Sequence, residues 1–375
     1  MKKIIWIVLV CVAFVTIFVG YKKCSHSKEK DVVKIGVILP LDGSSAKLGE
    51  PKKRAFEIAM SQYNVNGKRL EVLFQDSQGT PTGGTNAFNK LLLNKDIDCY
   101  YIDLTTIVNA CVPRVNEKKV ITFAGSAEPE ITERSDFLFR IFAGGEQEIG
   151  LMVEYLKQDS VKNVFILHTN ELYGNNSCKY FENLFAEIGG IVIGKDAYPM
   201  NNGDFKAQLA KAKATNPDKI ILLGYGNEYA TLFRQAMEYD LSPDMFVCNL
   251  GGSNKTVMEL PAELTEGMVF IGPRFSYLLD NNLLEPKMKD FVEIYRAKYK
   301  ENPDFRAAYA YDMVNIFMEI YGDGTKTDAQ IMKELKSTKD FHGVSGKISF
   351  KENGDSETDL VTAKYEKGLM VLISI

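Results

Sequence analysis

The side chains that could do chemistry in this 375-residue chain are hydroxyls, amides and phenols in short polar loops, each following an apolar run. The loops include Asp103-Leu104-Thr105-Thr106, Ala124-Gly125-Ser126-Ala127-Glu128-Pro129, Thr169 to Gly174, Gly224-Tyr225-Gly226-Asn227 and Asn249-Leu250-Gly251-Gly252-Ser253. Hydroxyl donors beside helix N-termini hold an anion without a buried counter-charge. That is binding chemistry, and patterns for catalysis do not accompany it. There is no Ser-His-Asp order, paired-carboxylate motif or metal-ligand spacing. His26, His168 and His342 are too far apart in sequence to suggest a zinc site, and His168 reads as structural. Gly224-Tyr225-Gly226 has the start of a dinucleotide fingerprint, but Tyr229 stands where the third glycine belongs and this is not the first βα turn.

The elements that must position these loops alternate in type. Val32 to Leu39 is a β-branched run of the kind buried on both faces of a parallel sheet. It ends at Pro40, turns through Asp42-Gly43-Ser44-Ser45, and restarts with apolar residues at helical spacing, Ala55, Phe56, Ala59 and Met60. Strands are expected again at Arg69 to Gln75, Ile97 to Ile102 and Lys119 to Phe123, with helices between them. Four such units imply a parallel, doubly wound sheet. After Gly144-Gly145 the same grammar restarts, with strands at Asn163 to His168, Ile191 to Tyr198, Lys219 to Leu223 and Met245 to Cys248. Helices are expected at 286–299 and 305–321, and the chain from about Val344 is strand-rich. A length of 375 residues favours two lobes over one core.

Composition is that of a globular protein, 45% hydrophobic and 25% charged. The first 27 residues hold four lysines and no acid, so the remainder has 41 basic against 49 acidic residues, a net −8. A mildly acidic body lacks the Lys/Arg excess of a nucleic-acid binder. Lys2 and Lys3 precede an uncharged apolar run, Ile4 to Gly20, and Lys22, Lys23 and Cys24 follow it. This is a targeting segment, read as an uncleaved membrane anchor, an atypical lipoprotein modified at Cys24, or a cleaved signal. Each reading puts the body from about Asp31 onward outside the cytoplasm. The other cysteines, Cys99, Cys111, Cys178 and Cys248, are isolated; Cys99 and Cys248 sit in strand-like contexts as small buried hydrophobes.

Set together, KIGVILPLDGSSAKLGE (34–50), FQDSQGTP (74–81), FAGSAEPEIT (123–132), LYGN (172–175), LGYGNEYATLFRQA (223–236), AYAYDMV (308–314) and GVSGKISFKENGD (343–355) are similar to type I periplasmic binding proteins. The nearest resemblance is to the leucine/isoleucine/valine-binding family, the substrate-binding subunits of branched-chain amino acid ABC transporters. It covers about residues 32–360. It implies two α/β lobes joined by three crossovers, lobe 1 at 32–143 plus 274–342 and lobe 2 at 144–273 plus 343–375. It also implies a monomer that closes by a hinge on a ligand in the cleft, with a permease and ATPase as partners and no cofactor. By motif matching, Thr106, Ala124 and Ser126 would hold the ligand carboxylate. Tyr173 and Tyr225 would face it from lobe 2, and Leu48 would pack on it from lobe 1.

One departure bears on the ligand. The family's Gly-Pro-Glu-Gly-type loop supplies a glutamate to the α-ammonium of an amino acid, whereas this chain has Cys248-Asn249-Leu250-Gly251, with Leu250 at the glutamate position. An ammonium buried without a carboxylate is costly. Either another acid substitutes, Asp103 and Glu228 being nearest, or the ligand has no ammonium. Asp103 beside the carboxylate site would repel a carboxylate and attract an ammonium. A membrane-tethered sensor of the same fold, signalling through a partner protein, is the alternative role.

Overall fold

The computed structural model describes residues 32–373, apart from 66–68, 201 and 323. The targeting segment, Cys24 included, lies outside the described residues. The first series is β1 (Val32–Leu39), α1 (Ala46–Val65), β2 (Arg69–Asp76), α2 (Pro81–Leu91), β3 (Cys99–Asp103), α3 (Thr105–Lys118), β4 (Thr122–Gly125) and β5 (Leu138–Arg140). Its strands form one sheet in the order β2-β1-β3-β4-β5. Every pair is parallel.

The second series is α4 (Gly145–Gln158), β6 (Asn163–Thr169), α5 (Leu172–Glu187), β7 (Ile191–Tyr198), α6 (Lys206–Thr215), β8 (Lys219–Leu223), α7 (Tyr229–Met237), β9 (Phe246–Cys248), α8 (Lys255–Met258) and β10 (Val269–Pro273). Its strands run β7-β6-β8-β9-β10, the same winding as the first sheet, and are parallel. Four helices follow, α9 (Arg274–Asp280), α10 (Pro286–Tyr299), α11 (Phe305–Tyr321) and α12 (Asp328–Ser337). A small antiparallel sheet comes next, of β11 (Phe341–His342), β12 (Lys347–Phe350) and β13 (Ser356–Thr358). The hairpin β14 (Leu360–Glu366) and β15 (Leu369–Leu372) then joins β10 antiparallel.

The local reasons are those of the sequence. All five residues of β3 are buried, as a central parallel strand requires. On α1 the buried positions 48, 52, 55, 56 and 59 recur at helical spacing and face the sheet. Cys99, Cys111, Cys178 and Cys248 are buried free thiols.

The chain passes between the sheets after β5, after β10 and before β14. Arg140, wholly buried at the first passage, ties the first and third together. Its guanidinium donates to Asp355, to the Glu146 carboxylate at 2.7 Å and to the Glu128 carbonyl at 2.7 Å. Return to the second sheet comes later than the resemblance implied. Val344, Ile348 and Phe350 pack into the core built on β1, and the Phe350 ring meets Phe139 of β5 at 5.9 Å. Asp312 of α11 accepts from the Val344 and Ser345 amides at 2.8 and 2.7 Å. Residues 343–350 are therefore held against the first lobe, Thr358 exchanges backbone hydrogen bonds with the Gln147 side chain of α4, and the second sheet takes the chain from Leu360.

Candidate functional site

Two parallel sheets of the same winding each have a switch point, between β1 and β3 in one and between β6 and β8 in the other. Loops at the carboxyl ends of strands beside such a point diverge and leave a crevice. Here the two crevices meet in one narrow cavity of about 40 Å³. The first lobe contributes Leu48, Asp103, Thr105, Ser126 and Arg306 among its walls, and the second contributes Tyr173, Tyr225, Asn249 and Leu250.

In the first wall, Thr105 begins α3 and Ser126 follows β4. Their hydroxyl oxygens are 2.7 Å apart, and Ser126 Oγ also accepts from the Glu128 amide at 3.2 Å. One hydroxyl donates to the other, which leaves a single O–H of the pair to point elsewhere. The first N–H groups of α3 have no partner inside the helix. Together these make a donor cluster for an anion.

Beside it lies a buried ion pair. Lys52 Nζ donates to both oxygens of Asp103 at 2.7 Å and to the Leu48 carbonyl at 3.3 Å. The two side chains are 4% and 0% exposed, so water does not screen them. Burial pushes the Lys52 ammonium down and the Asp103 carboxyl up, and each charge opposes the shift of the other. Phe142 lies 5.8 Å below the ammonium. Arg306 completes this side, paired with Asp304 at 3.0 Å and donating across the cleft to the Tyr225 carbonyl at 3.0 Å.

The second wall is tightly hydrogen-bonded. Glu171 caps α5, accepting from the Tyr173 and Gly174 amides, and so sets where Tyr173 begins its turn. The Tyr173 and Tyr225 rings are 5.3 Å apart. Asn249, with no exposure, donates to the Tyr173 hydroxyl at 2.6 Å and to the Gly224 carbonyl at 2.8 Å. It accepts from the Tyr229 hydroxyl at 2.8 Å. Behind Leu250, buried Glu148 accepts that residue's amide. Its carboxyl is pushed up to about 8 by burial, against the pull of that amide and of Arg140.

Of the residues expected from sequence, Leu48, Asp103, Ser126, Tyr173, Tyr225, Asn249 and Leu250 line the cavity. Thr106 and Ala124 do not. Thr105 takes the wall in place of Thr106, and Ala124 lies wholly buried in β4, its carbonyl accepting from the Ile141 amide at 3.2 Å. Asp103 is not a free acid, because Lys52 occupies it. Glu228 is not a wall residue. Lys52 and Arg306 escaped the sequence reading. The signal for Lys52 was present: it falls on the apolar stripe of α1 with Leu48, Ala55, Phe56 and Ala59. No comparable signal marks Arg306, which sits at a helix start like many exposed arginines. Among the described residues no cluster of three or more His, Cys, Asp or Glu could hold a metal ion.

A model of the family described as periplasmic binding protein matches residues 32–368. The chain belongs to the periplasmic binding protein family. It is 25% identical over 355 residues to a Leu/Ile/Val-binding protein homolog of Brucella melitensis, covering 90% of this chain and 93% of that one. It is 23% identical over 339 residues to the leucine-, isoleucine-, valine-, threonine- and alanine-binding protein of Pseudomonas aeruginosa, covering 88% and 89%. A crystal structure of a leucine-binding protein from Thermotoga maritima superposes with a TM-score of 0.79 at 25% identity, over 91% of this chain and 98% of that one. Periplasmic binding proteins work outside the cytoplasm, and these relatives are solute-binding proteins. No helix among the described residues is long and apolar enough to cross a membrane. In this periplasmic binding protein the lobes meet across the cleft through Arg306 and Tyr225, and through Lys255 and Glu301 at 2.8 Å. Asn176 also donates to Glu128.

Proposed function

We propose that this chain is the solute-binding subunit of an ABC importer, tethered outside the cytoplasm by its N-terminal segment. It takes a small carboxylate by closing its lobes on it, with no catalytic step. The observation that carries this reading is the Thr105–Ser126 hydroxyl pair at the start of α3, set opposite the Tyr173 and Tyr225 phenols of the other lobe. The hydroxyls and helix amides take the carboxylate, and Leu48, Leu250 and the aromatic rings take the remainder of the solute. The relatives, whose names record small amino acids as ligands, support a solute of that size.

A thermal-unfolding screen of short carboxylates, amino acids and amides tests it. A solute that binds the closed form raises the melting temperature, by about 2.7 kcal/mol of added stability at a hundred times Kd. Ser126→Ala is expected to weaken that solute about tenfold while costing the unliganded protein about 1 kcal/mol, the worth of one hydrogen bond. A screen in which no small carboxylate shifts the transition overturns the reading. Uptake of the solute in cells lacking this chain checks the importer role.

A further inference from the structure

The walls of the cavity carry two cations, Lys52 and Arg306, against one carboxylate, Asp103. The arrangement around Asp103 is complete without a ligand. Both carboxylate oxygens accept a hydrogen bond from the Lys52 ammonium at 2.7 Å, and the Leu48 carbonyl accepts another at 3.3 Å. An ammonium has three N–H donors, and all three are placed. On the other wall Leu250 offers the cavity no charge, and the buried carboxyl behind it, Glu148, faces the Leu250 backbone amide.

We propose that Lys52 is a specificity-determining residue that excludes amino acids, and that the ligand is an apolar monocarboxylate lacking an α-ammonium. This rests on the carboxylate-site reading above and narrows it. A solute whose carboxylate sits on Thr105 and Ser126 would bring an α-ammonium close to the Lys52 charge. It would find Asp103 already bonded through both oxygens, and the Glu171 carboxyl behind Tyr225 already engaged by the Thr169 hydroxyl, the first amides of α5 and the Tyr225 hydroxyl. Like charges in a dry cavity repel strongly, and an unpaired ammonium loses its hydration without compensation. A ligand with hydrogen or a keto oxygen at that carbon meets neither cost. Its carbon skeleton meets Leu48, Phe142, Tyr173, Tyr225, Leu250 and Phe305, which form an apolar, mainly aromatic lining.

Matched pairs differing only in the ammonium test the proposal by calorimetry on the whole folded protein: 4-methylpentanoate against leucine, 3-phenylpropanoate against phenylalanine, and other C4 to C9 monocarboxylates against their α-amino counterparts. The deaminated member of the pair that binds is expected to be preferred about tenfold or more. Lys52→Met leaves Asp103 to accept a ligand ammonium, so the preference should shrink or reverse. Asp103→Asn keeps the Lys52 charge and removes its partner, so carboxylate affinity should rise while amino acids stay excluded. These two variants move selectivity in opposite directions, which a purely structural ion pair would not do, and the second keeps the test available if the first fails to fold. An amino acid that binds the native protein as tightly as its deaminated partner overturns the proposal and leaves the carboxylate site standing. No binding by either member of any pair overturns the carboxylate site itself.

Discussion

The first wall of the cleft holds the buried carboxyl of Asp103, the second has the buried carboxyl of Glu148 behind its Leu250 loop, and the two are handled in opposite ways. Asp103, in the first lobe, is bonded through both oxygens to the Lys52 ammonium at 2.7 Å. Glu148, in the second, is as deeply buried but has one backbone amide and the more distant charge of Arg140. A paired carboxylate keeps its charge and sets the field that a ligand meets. A carboxyl held only by an amide surrenders its charge and becomes a neutral spacer for the Leu250 loop. The first lobe thus supplies the electrostatics of the cleft and the second its shape.

The most disruptive way to break this contrast is to remove one partner of the ion pair. Lys52→Met or Asp103→Leu alone should cost about 3–5 kcal/mol in chemical denaturation, because a buried charge is left unpaired. The double variant should recover most of that loss, since a dry apolar pair carries no desolvation penalty. Equal losses in the single and double variants would mean that packing, rather than charge, governs the site.

Glu148 gives the next effect, seen in pH dependence. Its folded carboxyl, raised to about 8, keeps a proton that the unfolded chain releases near pH 4.5. The native state therefore binds more protons between these values, and its stability falls as pH rises from about 4.5 to 8. The loss is on the order of 4 kcal/mol by pH 8. Glu148→Gln keeps the acceptor for Leu250 and should flatten that slope in urea titrations at pH 5 and pH 8. An unchanged slope would show that Glu148 is ionised.

A smaller effect is expected at Gly125, where an added Cβ would lie 2.1 Å from the Tyr101 hydroxyl and 2.5 Å from Asp103 Oδ1. Gly125→Ala should cost about 1–3 kcal/mol through overpacking and displace Asp103 from Lys52, lowering ligand affinity as well. Smallest of all, Tyr173→Phe removes the hydroxyl that Asn249 donates to and should cost about 1 kcal/mol of stability. Its effect on affinity should be less than that of Ser126→Ala, because Phe keeps the ring against Tyr225.

Much of the fold was legible in the chain itself. The β-branched runs, the helical stripes and the polar turns between them are local patterns, and they located eight of the ten strands of the parallel sheets to within a few residues; β5 and β10, at the passages between the lobes, were not singled out. The loops that line the cleft were legible for the same reason, since turns after parallel strands gather at one edge of a sheet. The boundary at 343 was not, because Ile348 and Phe350 alternate as any half-buried strand does. Only the surfaces available to them, Phe139 among them, decide which lobe they join.

The sequence by itself determined the two-lobed α/β architecture, the family, and the loops from which the site is built. Periodicity and turn chemistry act over a few residues, and a chain carries them explicitly. Tertiary structure alone decided which groups in those loops meet. It put Thr105 rather than Thr106 on the cavity, a matter of where α3 starts and how it is rotated. It brought Lys52 to Asp103 across 51 residues, and Glu148 to Leu250 across 102. Such pairings depend on helix rotation and on how each helix settles against its own sheet, and although the apolar stripe of α1 marks Lys52 as buried, nothing within a few residues of it names its partner. The charge a ligand meets in the cleft therefore belongs to the folded molecule.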